Sequence, residues 1–210
     1  MYQKIGSNVL VTGANRGIGL GLVKELSKLE EVQHIFACFY NQVKIEELKT
    51  FQEQCPKVYI IELDVTNDES IQKALSEIRN ILGENSSLNL LINNAAILEQ
   101  GGVTVQEPNR ENFLRHLNTN SLGPVMVNAA FLTLLRNATS LNQPAKIVNI
   151  SSLNGSIEKG SGTPFISAEG SFKNIVYGMS KCALNHYTKA LAQEEPSIIS
   201  IAICPGWDHL

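Results

Sequence analysis

A doubly wound α/β fold, with one parallel sheet between two helical layers, is what two features of the chain predict. Short apolar runs alternate regularly with longer amphipathic stretches. The short runs are rich in β-branched residues and continuously apolar, as strands covered on both faces require. Right-handed crossovers between consecutive parallel strands then give a three-layer αβα, Rossmann-like layout. The chain has 210 residues, 43% hydrophobic and 18% charged, which suffices for one substantial core, so a single domain over 1–210 is expected.

The elements follow in order. Ser7–Thr12 reads as the first strand, and a helix over 17–29 places Leu20, Val23 and Leu26 on one face. Strands at His34–Phe39 and Val58–Leu63 flank a helix over 43–54. Asn67 and Asp68 form an N-cap region before a helix over 68–82, in which Ile71, Leu75 and Ile78 share a face. A strand at Leu88–Ile92 precedes one long helical pattern over 108–136, and Lys146–Ser151 is the next strand. The stretch Leu153–Ile175, rich in Gly, Ser and Thr, has no periodicity and is long for a loop in a compact domain, which marks it as functional or mobile. A helix over 177–194 and a strand at Ile198–Cys204 close the pattern.

Bulk properties narrow the function classes. Net charge is −3 and no Lys/Arg cluster occurs, which argues against nucleic acid or an anionic membrane as partner. No apolar run approaches the ~20 residues of a membrane span, and the amino terminus has no signal-peptide core, so a cytoplasmic location is expected. Cys38, Cys55, Cys182 and Cys204 are widely spaced and read as reduced thiols. His34, His116, His186 and His209 are scattered, and no metal site is expected.

Two motifs carry chemistry. In Thr12-Gly13-Ala14-Asn15-Arg16-Gly17-Ile18-Gly19, a strand precedes and a helix follows. Gly13 permits a tight turn, Gly17 lets backbone approach a diphosphate, and Gly19 lets the helix pack closely on the sheet. The helix N-terminus then offers N–H groups and a positive dipole end to phosphates. In Tyr177-Gly-Met-Ser-Lys181 the phenol and the ammonium stand at i and i+4 on one helix face. A neighbouring cation favours the phenolate and would bring Tyr177 into range as a general acid/base.

The glycine spacing is Gly-x-x-x-Gly-x-Gly. With Asn93-Asn94-Ala95-Ala96 after the fourth strand, Ser151-Ser152 after the fifth, and the Tyr177/Lys181 pair, the chain resembles the short-chain dehydrogenase/reductase family from about residue 7 to 207. Within that family the wording Asn-Arg-Gly-Ile-Gly and the long Ser-to-Tyr insert look most like the sniffer/C-factor type of carbonyl reductase.

The resemblance implies the rest of the site. Gly13, Asn15, Arg16, Gly17, Ile18 and Gly19 would form the cofactor loop, with Pro205 and Gly206 at the nicotinamide side. Asp64 would bind the adenine amino group with Val65 beside the ring; Asn93, Ala95 and Ala96 would line the ribose. Ala96 departs from the family's Asn-Asn-Ala-Gly by one methyl. Ser152 would stabilise the developing oxyanion of a small-molecule carbonyl substrate, and Tyr177 would protonate it. Lys181 would lower the tyrosine pKa and hold the ribose. Asn120 would bend its helix and position a relay water; Asn118 competes, but the step to Gly123-Pro124 favours Asn120. NADP(H) is expected over NAD(H), because the second strand ends without the acid that holds a 2′-hydroxyl and Arg16 offers a cation. A second arginine after that strand is missing, and Phe39 or Tyr40 stands there.

Relatives continue beyond Pro-Gly with a substrate-covering helix and a last strand–helix pair, so a sheet lacking that strand and helix is expected, with an open edge. The alternatives to a reductase are a nucleotide-binding form without turnover and a partner of a full-length relative. The Ser-to-Tyr insert is read as a lid or substrate wall, or as a cover over the helix face that relatives use to form a homodimer; both stay open.

Overall fold

The computed structural model describes residues 5–41, 44–84, 86–99, 103, 105–159, 166–167, 170–171 and 175–206. In chain order the elements are β1 (Asn8–Val11), α1 (Gly17–Ser27), β2 (His34–Phe39), α2 (Glu46–Gln54), β3 (Val58–Glu62), α3 (Asp68–Leu82) and β4 (Leu90–Asn93). There follow α4 (Arg110–Leu117), α5 (Gly123–Ser140), β5 (Lys146–Ile150), a short hairpin of β6 (Ile166–Ser167) and β7 (Gly170–Ser171), α6 (Ile175–Glu194) and β8 (Ile199–Ile203). Six strands form one parallel sheet in the order β3-β2-β1-β4-β5-β8. The strand order reverses between β1 and β4, which opens a crevice at the carboxyl ends of the strands.

Side chains alternate between the two faces, and each face has its own core. Leu10, Phe36, Leu91 and Ile147 pack with Ile71, Leu75 and Ile78 of α3 and with Val127, Phe131 and Leu134 of α5. Val9, Val11, Ile35, Leu90 and Ile92 face the other way, onto Leu20, Val23 and Leu26 of α1 and Leu48 of α2. The continuously apolar strands predicted from sequence are thus continuous because both faces are buried. β8 is different. Ile199, Ile201 and Ile203 remain 43, 42 and 41% exposed. Their register with Lys146, Val148 and Ile150 of β5 puts them on the α1/α2 face. Among the described residues β8 is also the edge of the sheet, paired only with β5.

Three departures from the sequence expectations have local causes. The helix expected over 108–136 is two helices, α4 and α5, joined by a π-helical turn at Asn118–Leu122. Two asparagines and a threonine favour helix poorly, and Pro124 lacks the N–H that would continue the ladder. The turn closes instead through a wide bond from Gly123 N–H to the Asn118 carbonyl. The second helix starts at Glu46 rather than 43, and Lys44 lies in the left-handed region at φ 57°, where a right-handed helix cannot include it. The aperiodic stretch after Ser152 holds a 3₁₀ turn at Leu153–Gly155 and the β6–β7 hairpin.

Candidate active site

A cleft of about 650 Å³ opens at the strand-order reversal, lined by residues that follow β1, β2, β3 and β4. Its floor is the glycine turn. Gly13 has φ 64°, and a Cβ there would lie 2.9 Å from Ala95 Cα; a Cβ on Gly19 would lie 2.2 Å from the Gly13 carbonyl oxygen. Only glycine lets this turn and α1 nest against the loop after β4. Arg16 caps α1 in extended backbone and provides no side-chain cap, so the first N–H groups of the helix face the cleft without an intrachain acceptor of that kind. Gly13, Asn15, Arg16, Gly17, Ile18 and Gly19 all line the cleft, as do Asp64, Val65, Ala95 and Ala96. A concave, backbone-rich floor at a helix N-terminus fits a dinucleotide phosphate, with an acid and apolar groups further along it.

The loop is tied down from below. Thr12 Oγ1 accepts from the N–H groups of Asn94 and Ala95, each at 3.0 Å, and Asn94 Nδ2 donates to the carbonyls of Thr12 (2.9 Å) and Gly13 (3.1 Å). Asp64 Oδ1 accepts from Thr66 N–H (2.8 Å) and Thr66 Oγ1 (2.7 Å), which holds the turn into α3. Asn93 is placed otherwise than expected. Its side chain is buried under the sheet, with Nδ2 donating to Asn128 Oδ1 and Asn149 Oδ1 at 2.8 Å each, and it does not line the cleft. It is the last residue of β4 and keeps the strand's alternation, so its neighbour Asn94 takes the cleft side.

The second group of expected residues converges beside α6. Ser152 ends the segment after β5 and accepts from Asn154 N–H at 3.2 Å as the cap of the 3₁₀ turn. That turn lies directly on α6, because a Cβ on Gly155 would be 2.7 Å from the Lys181 backbone. Ser152 thereby reaches hydrogen-bond contact with Tyr177. Ser151, by contrast, donates to Asn185 Oδ1 at 2.6 Å and is structural. Lys181 Nζ donates to the Ile150 carbonyl at 2.7 Å and sits 5.6 Å from the Tyr177 ring centroid.

Asn120 is fully buried in the π turn. Its Oδ1 accepts from Ile97 N–H (2.8 Å), while its Nδ2 donates to the Ile97 carbonyl (2.9 Å) and Ser180 Oγ (3.1 Å). Ser180 Oγ donates in turn to the Tyr177 carbonyl at 2.7 Å. Asn120 therefore clasps the loop after β4 to the helix carrying Tyr177. Asn118 lies on the cleft wall instead. Pro205 and Gly206 follow β8 and are exposed, with Gly206 at φ 87°; Trp207 and His209 fall outside the described residues.

The electrostatics correct one expectation. Burial raises the Tyr177 pKa above its ordinary value; the Ser152 hydrogen bond pulls the other way, and the Cys204 thiol adds to the rise. Lys181 does not reverse this. Its ammonium is turned to the Ile150 carbonyl, and burial lowers its own pKa to about 8. Desolvation of the pair outweighs the attraction between them. At neutral pH Tyr177 is a phenol, and the site holds a proton donor rather than a base.

The family model for short chain dehydrogenases matches residues 7–207. The chain belongs to the short-chain dehydrogenase/reductase family. An uncharacterized oxidoreductase of Schizosaccharomyces pombe is 34% identical over 198 residues, covering 93% of this chain and 71% of the relative. Among solved structures, NADPH-bound carbonyl reductase from chicken fatty liver superposes with a TM-score of 0.87 at 33% identity, over 96% of this chain and 76% of that one. The carbonyl reductase Sniffer of Drosophila melanogaster gives 0.85 at 32%, over 96% and 81%. The Rossmann-like fold and the family read from sequence both stand.

Several residues of this short-chain dehydrogenase's cleft escaped sequence reading: Asn94, Tyr40, Asn41, Glu99, Arg115 and Thr119. Asn94 was within reach, since strand alternation sends only one of two adjacent asparagines to the cleft. Glu99 and Arg115 meet across sixteen positions and carry no local signal. Among the described residues no three His, Cys, Asp or Glu side chains gather as a metal site, and no helix is long and apolar enough to cross a membrane.

Proposed function

We propose that the chain is an NADP(H)-dependent carbonyl reductase acting on a ketone, aldehyde or quinone. The observation that carries this reading is the contact of Ser152 with Tyr177 beside a buried Lys181, all at the carboxyl end of the sheet that also forms the glycine-floored cleft. NADPH is favoured over NADH because Arg16 is exposed on the cleft and the residues after β2 that line it, Tyr40 and Asn41, include no acid to hold a 2′-hydroxyl. The chicken reductase with which the chain superposes is NADPH-bound, in keeping with this choice.

A bound NADPH supplies hydride to the carbonyl carbon. Ser152 donates a hydrogen bond to the carbonyl oxygen, where negative charge develops. Tyr177, held as the neutral phenol by burial, gives its proton to that oxygen and becomes the phenolate. Lys181, charged below about pH 8, stabilises that phenolate from its place against the Ile150 carbonyl. Asn120 keeps the loop after β4 in register with α6 while this happens. Solvent then returns a proton to Tyr177.

The test is NADPH oxidation by the purified chain with a panel of quinones, aldehydes and ketones, read beside NADPH binding. Turnover that disappears in Tyr177→Phe while binding persists supports the reading. Binding without turnover on any class of carbonyl overturns the reductase reading.

A further inference from the structure

On the cleft wall away from the glycine turn, Glu99 and Arg115 form an ion pair. Arg115 Nη2 meets Glu99 Oε2 at 2.5 Å, and its Nη1 lies 3.5 Å from Glu111 Oε1. Glu99 is held at three points by α4. Its Oε2 also accepts from Asn112 Nδ2 at 2.8 Å, and its backbone N–H points to His116 Nε2 at 3.4 Å. His116 is fully buried, with Nδ1 on the Asn112 carbonyl at 2.9 Å. Such a scaffold fixes the carboxylate, and through it the guanidinium, rather than leaving two surface chains to find each other.

Arg16 and Arg115 are the cations among the described residues that line the cleft. The end of β2, where a second phosphate-binding cation is missing, offers Tyr40 and Asn41 in its place. We propose that Arg115 is a second phosphate-binding cation of the cofactor cleft, held in position by Glu99. The inference rests on the NADP(H) reading above. Arg115 has two carboxylate neighbours and is half exposed, so it can exchange the long contact with Glu111 for a phosphate oxygen and keep Glu99. Glu99 without Arg115 would be an unneutralised carboxylate facing a polyanion.

Opposite signs for the two partners follow from this. Calorimetric titration of the intact chain with NADPH, 2′,5′-ADP, ADP and adenosine tests it, for wild type, Arg115→Met and Glu99→Gln. Arg115→Met is expected to weaken NADPH and the phosphate with which it pairs by about tenfold, and to flatten the salt dependence of binding. Glu99→Gln is expected to tighten the same ligands by about threefold. Adenosine, which carries no phosphate, should respond to neither. A larger shift for 2′,5′-ADP than for ADP assigns the contact to the 2′-phosphate; the reverse assigns it to the diphosphate, and either supports the proposal. Variants that shift affinity in the same direction, that move adenosine equally, or that change nothing overturn it. A wild-type chain that binds no NADPH removes the cofactor reading and this inference together, whereas wild-type binding with unshifted variants overturns this inference alone.

Discussion

The nucleotide half of the molecule, β1 to β4, and the chemical half, β5 with α6 and β8, are covered differently. In the first, both sheet faces lie under helices, and Val9, Leu10, Val11 and Leu91 have no exposed surface. In the second, one face is covered by α5 and α6, but the isoleucines of β8 stand open on the other. The cleft for an anionic cofactor thus rests on a doubly packed floor. Ser152 and Tyr177 rest on elements that are well anchored to each other and less well anchored to the rest. Precision within the Ser152–Tyr177–Lys181 cluster comes from close backbone approach at Gly155 and from buried hydrogen bonds rather than from a double apolar layer.

The contrast can be broken most sharply at its chemical centre. Tyr177→Phe should lower NADPH-dependent carbonyl reduction by about 10²- to 10⁴-fold, the usual worth of a positioned acid, while NADPH affinity measured by fluorescence stays within about twofold. On the other side, Gly19→Val should abolish nucleotide binding, because even its Cβ would lie 2.2 Å from the Gly13 oxygen; titration with NADPH reads the loss directly. The two packing regimes can be compared by thermal or urea unfolding. Phe131→Ala, in the fully buried core, should cost about 3–5 kcal/mol. Ile201→Ala, on the open face of β8, should cost about 1 kcal/mol or less, since little of the side chain is taken from water. Equal losses at the two positions would dissolve the distinction.

The smallest expected effect is a dependence on pH. Lys181 has a folded pKa of about 8, below its ordinary value of 10.5, because of burial. Between these values the unfolded chain binds a proton that the folded chain has released, so this group makes stability rise as pH increases from 8 toward 10. Tyr177 acts in the opposite direction, but only above pH 10, because its raised pKa keeps the proton on in the folded state. Lys181→Met should remove the rise between pH 8 and 10 in urea midpoints. Over the same interval, wild-type reductase activity should fall as the ammonium beside Tyr177 is lost.

The features legible in the amino-acid sequence are those written locally. The strand–helix alternation, the glycine turn and the Tyr177/Lys181 spacing depend on residues within a few positions of each other, where period and sterics decide. The features that stay hidden depend on partners far along the chain. The π turn exists because Asn120 finds the Ile97 backbone and Ser180. Asn93 turns inward because Asn128 and Asn149 wait there. The direction of the Tyr177 shift depends on how deeply α6 is covered and on where the Lys181 ammonium goes, and spacing reports neither. Glu99 and Arg115 become a pair only once α4 is folded against the loop after β4.

The wide turn at Asn118–Leu122 has a consequence for how this chain can change over time. One surplus residue in that turn sets α4 and α5 out of phase by about 100°. Loss of a single codon there would let the two helices fuse into one continuous rod. Every side chain after it, Val127, Phe131 and Leu134 among them, would be dialled off the sheet. The segment is thus a place where the number of residues matters more than their identity: substitutions can be absorbed one by one, but the count cannot change.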